Sequence, residues 1–419
     1  MTFLIIALLI VLAFLSWKYM MQLEPAGVFA AMWIALITAV LLMQNFIVLR
    51  FSGILYIVIC VILFMLGTIF CDYVYHPHPS HVTLTFRKKW ALPVLAVLFV
   101  CAMVTPLYSI ILHGFSIQAL LDMRELLEMN KNISEDRYSG VEARNLITQV
   151  FLIFCYAAPL FGGFCYRWVN KYVKVLCILS LIPGIFVALT QSMKMGMVSG
   201  FILWATGFFI CSFSYHLSLK IKLRNVIISA IIFILFFGIL FFSMVFRTGE
   251  VSEGTVALIQ EKFVSYALGQ FHCFDMWYTT YEPTNYSWGT KTFMGISNVI
   301  GLEQRSQGVY SEFYQIGKNG FFGIANIFTI FRSLIEDFGE AGTCLLMFLL
   351  GLFSKMSLKN LILNNSIFMH QTIMTAVYAY LMWSFATSFF AYTSYIALFV
   401  VAYILFRILQ KETQPCLKP

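Results

Sequence analysis

The chain has 419 residues, 61% of them hydrophobic and only 11% charged, with a mean hydropathy of +0.85 and a formal net charge of +8. A soluble domain carries about a quarter of its residues as charges, so an aqueous surround is excluded and a bilayer is required. The ten cysteines lie mostly within or beside apolar runs, where a thiol behaves as a small hydrophobe, and they predict neither a disulfide framework nor a metal site.

Runs long enough to span, about 20 residues each, occur in chain order at 2–20, 27–48, 53–73, 91–112, 147–166, 172–190, 195–214, 225–246, 341–356, 367–386 and 389–408. Backbone groups in lipid must be satisfied within their own segment, and the runs lack the strict alternation of barrel strands, so they read as helices. The expected fold is an all-α polytopic membrane protein with about 11 transmembrane helices. Residues 2–15 have the length of a signal-peptide core, but no basic stretch precedes them and Lys18 follows, so a retained first helix is expected. Three parts result: a membrane bundle over 1–246 (helices 1–8) with an outer amphipathic segment at 113–146, a large outer loop over 247–340, and helices 9–11 with a cytoplasmic tail over 341–419.

Lysine and arginine separate the two faces. One face collects Lys18, Arg87, Lys88, Lys89, Arg167, Lys171, Lys174, Lys220, Lys222, Arg224, Lys355, Lys359, Arg407, Lys411 and Lys418 against Glu24, Asp72 and Glu412. The other face holds most of the acids, in the long segments 113–146 and 247–340. The first is expected to be cytoplasmic and the long loops extracytoplasmic. Loops of such length are uncommon unless functional, so the work is expected outside. No Walker A, HExxH, GxSxG or C-x-x-C pattern occurs, which argues against nucleotide-driven transport, a zinc protease and a serine hydrolase. His76, His78 and His81 alternate with prolines in an extended cytoplasmic stretch and are read as a solvated loop.

Apolar residues at near-helical spacing over 254–281, and again over 117–129, predict amphipathic helices at the membrane margin. After them come Tyr286, Trp288, Tyr310 and Tyr314, rings with an apolar face and a polar tip that suit the C–H faces and hydroxyls of sugars. Charges at membrane depth are costly unless paired or lining a wet cavity. Lys194 sits in a tight outer turn, Arg247 ends the eighth apolar run, and Arg332 stands four residues before Glu336 with Asp337 beside it. These cations could gather around one anionic group, and guanidinium suits phosphate.

The segment Asn326-Ile-Phe-Thr-Ile-Phe-Arg-Ser-Leu-Ile-Glu-Asp-Phe-Gly-Glu-Ala-Gly342 leads straight into a membrane run, after Phe274-Asp-Met-Trp277 and Tyr286-Ser-Trp-Gly289. With the helix count and the large late loop, the chain resembles the Wzy-type polymerases of O-antigen and capsule repeat units. The resemblance implies a GT-C-like helical bundle and a glycosyltransferase that needs neither metal nor cofactor. Its donor would be the nascent glycan on undecaprenyl diphosphate, and its acceptor a fresh undecaprenyl-diphosphate-linked repeat unit at the periplasmic face of the bacterial inner membrane. On that reading Arg247, Arg332, Lys194 and Arg305 meet the diphosphate, and Glu336, Asp337 or His272 accepts the acceptor proton. Tyr286, Trp288, Tyr310, Tyr314 and Asn326 hold sugar. The expected partners are the lipid-linked oligosaccharide, the bilayer and, as further company, a chain-length regulator and a flippase; nucleic acid is not among them. A lipid-linked oligosaccharide flippase or exporter, and an O-antigen ligase, remain the alternatives.

Overall fold

A computed structural model describes residues 1–80, 82–116, 118, 122–139, 146–190, 194–218, 234–235, 238–242, 244–245, 253–282, 285–302, 310, 312–318 and 323–413. Helices dominate and strands are few, as in an all-α polytopic membrane protein, and eight described helical stretches, one of them Lys171–Thr190 with a break inside it, are long and apolar enough to cross a bilayer. The chain divides into two compact units, residues 1–80 with 261–396 and residues 81–260 with 397–419.

The helices are α1 (Thr2–Met21), α2 (Pro25–Leu42), α3 (Ser52–Val74), α4 (Lys88–Leu112), α5 (Met123–Ser139), α6 (Leu146–Cys165), α7 (Lys171–Leu179), α8 (Ile182–Thr190), α9 (Lys194–Ser214), α10 (Glu253–Thr280), α11 (Met294–Val299), α12 (Ile330–Ile362), α13 (Ile367–Trp383) and α14 (Thr393–Leu409). Four short strands, β1 (Thr83–Phe86), β2 (Tyr314–Gln315), β3 (Ile324–Ala325) and β4 (Gln410–Thr413), pair antiparallel as β1 with β4 and β2 with β3.

The first unit is built on α3 and α12, which run close along one another. Glycine makes that approach possible: a side chain on Gly67 would strike the Phe348 carbonyl, and one on Gly351 the Phe64 carbonyl. Small residues at a helix interface let backbones meet where lipid supplies no hydrophobic drive. In the second unit Gly163 and Gly207 do the same for α6 and α9, facing the Trp204 and Leu160 carbonyls.

Several expected boundaries move, each for a physical reason. The run at 172–190 is two helices, because Pro183 has no N–H to offer the preceding turn; the hydroxyl of Ser180 donates to the Cys177 carbonyl at the break (2.7 Å). The last run begins as a 3-10 turn at Phe389–Ala391 before α14 starts. The run expected from 341 belongs to a helix that already starts at Ile330, so Arg332, Glu336 and Asp337 share that helix, as the four-residue spacing of Arg332 and Glu336 implied. The amphipathic helix expected over 254–281 is α10, and the earlier one is helical from Met123 to Ser139. The expected span 225–246 falls largely outside the described residues.

Lys355 and Lys359 lie within α12, not in a connecting turn. Lys355 Nζ meets Glu24 (2.6 Å) and Asp72 (3.4 Å), and Lys359 Nζ meets Asp72 (3.1 Å). The Tyr19 hydroxyl donates to Asp72 (3.0 Å) and that of Tyr378 to the Leu23 carbonyl (2.7 Å). Buried charges persist when each finds an opposite partner, and this set ties the α1–α2 corner and the end of α3 to one end of α12. The opposite end of α12 carries the other charged cluster.

Candidate functional site

Arg332 and Glu336 are one turn apart on α12, the spacing at which two side chains share a face. Arg332 Nε donates to Glu336 Oε1 (2.8 Å), and Nη2 donates to Glu312 Oε1 (2.9 Å). The Arg332 side chain is 4% exposed, that of Glu336 15% and that of Glu312 49%. Three rings enclose the guanidinium: its Cζ lies 3.7 Å from the Tyr310 centroid, 4.2 Å from Phe328 and 5.0 Å from Trp277. Tyr310 is itself fixed by its hydroxyl, 3.1 Å from Ser333 Oγ. Nη1 is buried and finds no partner among the described residues.

This arrangement decides what Arg332 can do. Two carboxylates already answer its charge and aromatic faces cover its plane, so the cluster presents an acid outward and its cation inward. A diphosphate would reach the guanidinium only by displacing Glu312. The bond from Arg332 holds the Glu312 carboxyl below its usual range, and burial, then the nearby Glu336 charge, pushes the Tyr310 phenol up.

Asp337 is fully buried and faces the other way. Its carboxylate accepts the backbone N–H of Lys291 (3.1 Å) and of Thr292 (2.7 Å), while Ser287 N donates to the Glu336 carbonyl (3.0 Å) and Trp288 N to the Asp337 carbonyl (3.2 Å). The turn at 286–293 is thereby laced to α12. Immediately beyond, Gly339 breaks the helix at φ 71°, ψ 175°, a conformation open essentially to glycine alone. The ring of Tyr286 fills the place a Cβ would occupy, 2.9 Å from its hydroxyl. Tyr286 and Trp288 are 46% and 78% exposed, with centroids 6.1 Å apart and planes nearly perpendicular. The result is an aromatic shelf anchored through its backbone to the turn of α12 that carries Glu336 and Asp337.

His272 is buried, with Nδ1 at 2.5 Å from the Val48 carbonyl, and burial pushes its imidazole below the ordinary value. One turn on, Asp275 is also fully buried and accepts the N–H groups of Arg50 (2.6 Å), Phe51 (2.8 Å) and Gly53 (2.8 Å), capping α3. Phe274-Asp-Met-Trp277 therefore supplies a helix cap and one wall of the arginine cage.

Of the residues singled out in the sequence, Arg332, Glu336, Asp337, Tyr286, Trp288 and Tyr310 are brought together. Tyr314 packs edge-on against Phe328 (6.0 Å) and so borders the cage, while Asn326 follows β3, half-buried. His272 serves the α10 packing. Lys194 opens α9 in the other unit, and Arg247 and Arg305 lie outside the described residues. Sequence reasoning did not find the partnership of Glu312 with Arg332, nor Trp277 and Phe328 as its ring walls. No periodicity links those positions, and only the tertiary fold joins them.

Comparison with known proteins finds no matching family model, no matching curated protein and no matching solved structure.

Proposed function

We propose that this membrane protein is a glycosyltransferase that polymerises lipid-linked repeat units, moving the growing glycan from undecaprenyl diphosphate onto a new undecaprenyl-diphosphate-linked unit. The observation that supports this reading best is the partly exposed carboxylate of Glu336, oriented by the buried Arg332, on the turn of α12 to which the segment bearing the exposed rings of Tyr286 and Trp288 is bonded. A positioned carboxylate together with exposed rings is what an acceptor sugar needs: a proton acceptor for one hydroxyl and a surface for its C–H face.

In the proposed step the acceptor hydroxyl gives its proton to Glu336 and its oxygen forms the bond to the donor's anomeric carbon. The bond from that carbon to phosphate oxygen breaks, and the electron pair leaves with undecaprenyl diphosphate. Arg332 acts through Glu336, keeping the carboxylate in position. Asp337 holds the shelf rather than the proton. The site faces the periplasm of a bacterial inner membrane on this reading, and the basic residues of the opposite face support that orientation.

The test is a surface-glycan gel from a host that makes the matching lipid-linked unit but lacks its own polymerase. A ladder of many repeat lengths on introducing the gene supports the proposal. Glycan confined to one repeat unit overturns it, and whole finished chains newly attached to lipid would favour a ligase.

A further inference from the structure

A groove in the second unit lies outside this site and has a different composition. The backbone N–H of Arg87 donates to the Leu409 carbonyl (2.8 Å), and β1 pairs with β4 from Thr83↔Thr413 to Phe86↔Gln410. This ribbon clamps the start of α4 to the end of α14. Beside it opens a cavity of about 540 Å³ lined by Arg87, Trp90, Tyr403, Ile404, Arg407 and Ile408.

The lining is ordered along the helix axis. Arg87 and Arg407 mark the end of the two helices with Ile408 at their level, Trp90 and Tyr403 lie about one turn further in with Ile404 beside Tyr403, and the exposed Val400 follows one turn deeper on α14. The Arg407 guanidinium is 5.8 Å from the Tyr403 ring, one turn away. Guanidinium at the helix end, rings with Ile404 one turn in, then the exposed Val400 match the phosphate, ester region and acyl chain of a phospholipid. An adjoining cavity of about 340 Å³ repeats the pairing, with Lys88 Nζ 6.0 Å from the Trp168 ring. Helix ends with clustered basic residues attract anionic headgroups, and forked guanidinium donors match phosphate oxygens better than ammonium does.

We infer that the groove between the head of α4 and the foot of α14 is a binding site for one anionic phospholipid of the surrounding bilayer, its phosphate held by Arg87 and Arg407 and its chain laid along Ile404 and Val400. The bound lipid fastens the C-terminal segment beyond α14 to the membrane at the β1–β4 ribbon. The inference is independent of the proposed polymerase reading.

The test uses the full chain purified in phosphatidylcholine nanodiscs, titrated with phosphatidylglycerol, with further phosphatidylcholine, or with inorganic phosphate at constant ionic strength. Bound lipid is counted by native mass spectrometry. Two arginines near the headgroup predict a preference for phosphatidylglycerol over phosphatidylcholine of about thirtyfold, no competition from inorganic phosphate, and loss of that preference in the Arg87→Gln, Arg407→Gln double variant. Equal retention of the two lipids, equal binding of inorganic phosphate, or an unchanged preference in the double variant would overturn it. Should the double variant fail to fold, Arg407→Gln alone leaves the Arg87 backbone bond and the ribbon in place. A preference reduced by about fivefold then supports the site, and an unchanged one overturns it.

Discussion

At the scale of single residues, the site depends on a glycine and an arginine whose roles come from their surroundings. Gly339 holds φ 71° with the Tyr286 ring against it. Gly339→Ala forces an L-residue into a strained conformation and drives a methyl into that ring, so a loss of about 1–3 kcal/mol is expected, read as a lower thermal midpoint in detergent with the aromatic shelf displaced. Glu312 gives a pH test. Its carboxyl is held below the usual range by Arg332, so its bond contributes above the pH where an unfolded glutamate titrates, about 4.3, and fades as pH falls through the lower folded value. Thermal midpoints taken from pH 6 down to pH 3 should fall less steeply for Glu312→Gln than for the parent chain. Equal slopes would mean that the bond to Arg332 does not matter to the fold. The pairing of Arg332 with Glu336 was legible in the sequence, because four residues of helix bring their side chains together. That Glu312 and three rings complete the cage was not, since those contacts depend on how β2, α10 and the head of α12 meet.

At the scale of elements, α12 is a short charged helix joined through Gly339 to a membrane span. The apolar run from 341 announced the span, but the helix ahead of it carries too many charges for hydropathy to mark, and its start had to come from packing. The same limit applies at Pro183, where a continuous apolar run hides a helix break. Asp275 shows the reverse: its segment was conspicuous in the sequence, yet its work is to cap α3 from a distant helix. Asp275→Ala would leave three N–H groups at the start of α3 without their acceptor. Helix-cap loss with buried donors is expected to cost about 2–4 kcal/mol, which denaturation in mild detergent would register. A change under about 0.5 kcal/mol would show that water replaces the carboxylate without penalty.

For the whole molecule, hydropathy and charge asymmetry made the membrane class and most spans legible, because burial in lipid is written into every helix. They did not reveal the division into two units, which rests on pairings between distant segments. Within the first unit the clusters at the two ends of α12 also make the orientation testable. Trp288, on the exposed shelf, and Ser366, exposed just beyond the end of α12, should lie on opposite sides of the membrane. Trp288→Cys should react with a membrane-impermeant maleimide in intact cells, and Ser366→Cys only after permeabilisation. The opposite pattern would put the carboxylate site in the cytoplasm, away from the proposed substrate.

The central claim, that Glu336 serves as proton acceptor in glycan polymerisation, is tested most directly by the surface-glycan gel run with Glu336→Gln beside the parent chain at matched membrane levels. Removing a positioned general base slows a reaction by about 10²–10⁴-fold, so the ladder made by the parent chain should collapse to one repeat unit in the variant. A full ladder from Glu336→Gln would contradict the account.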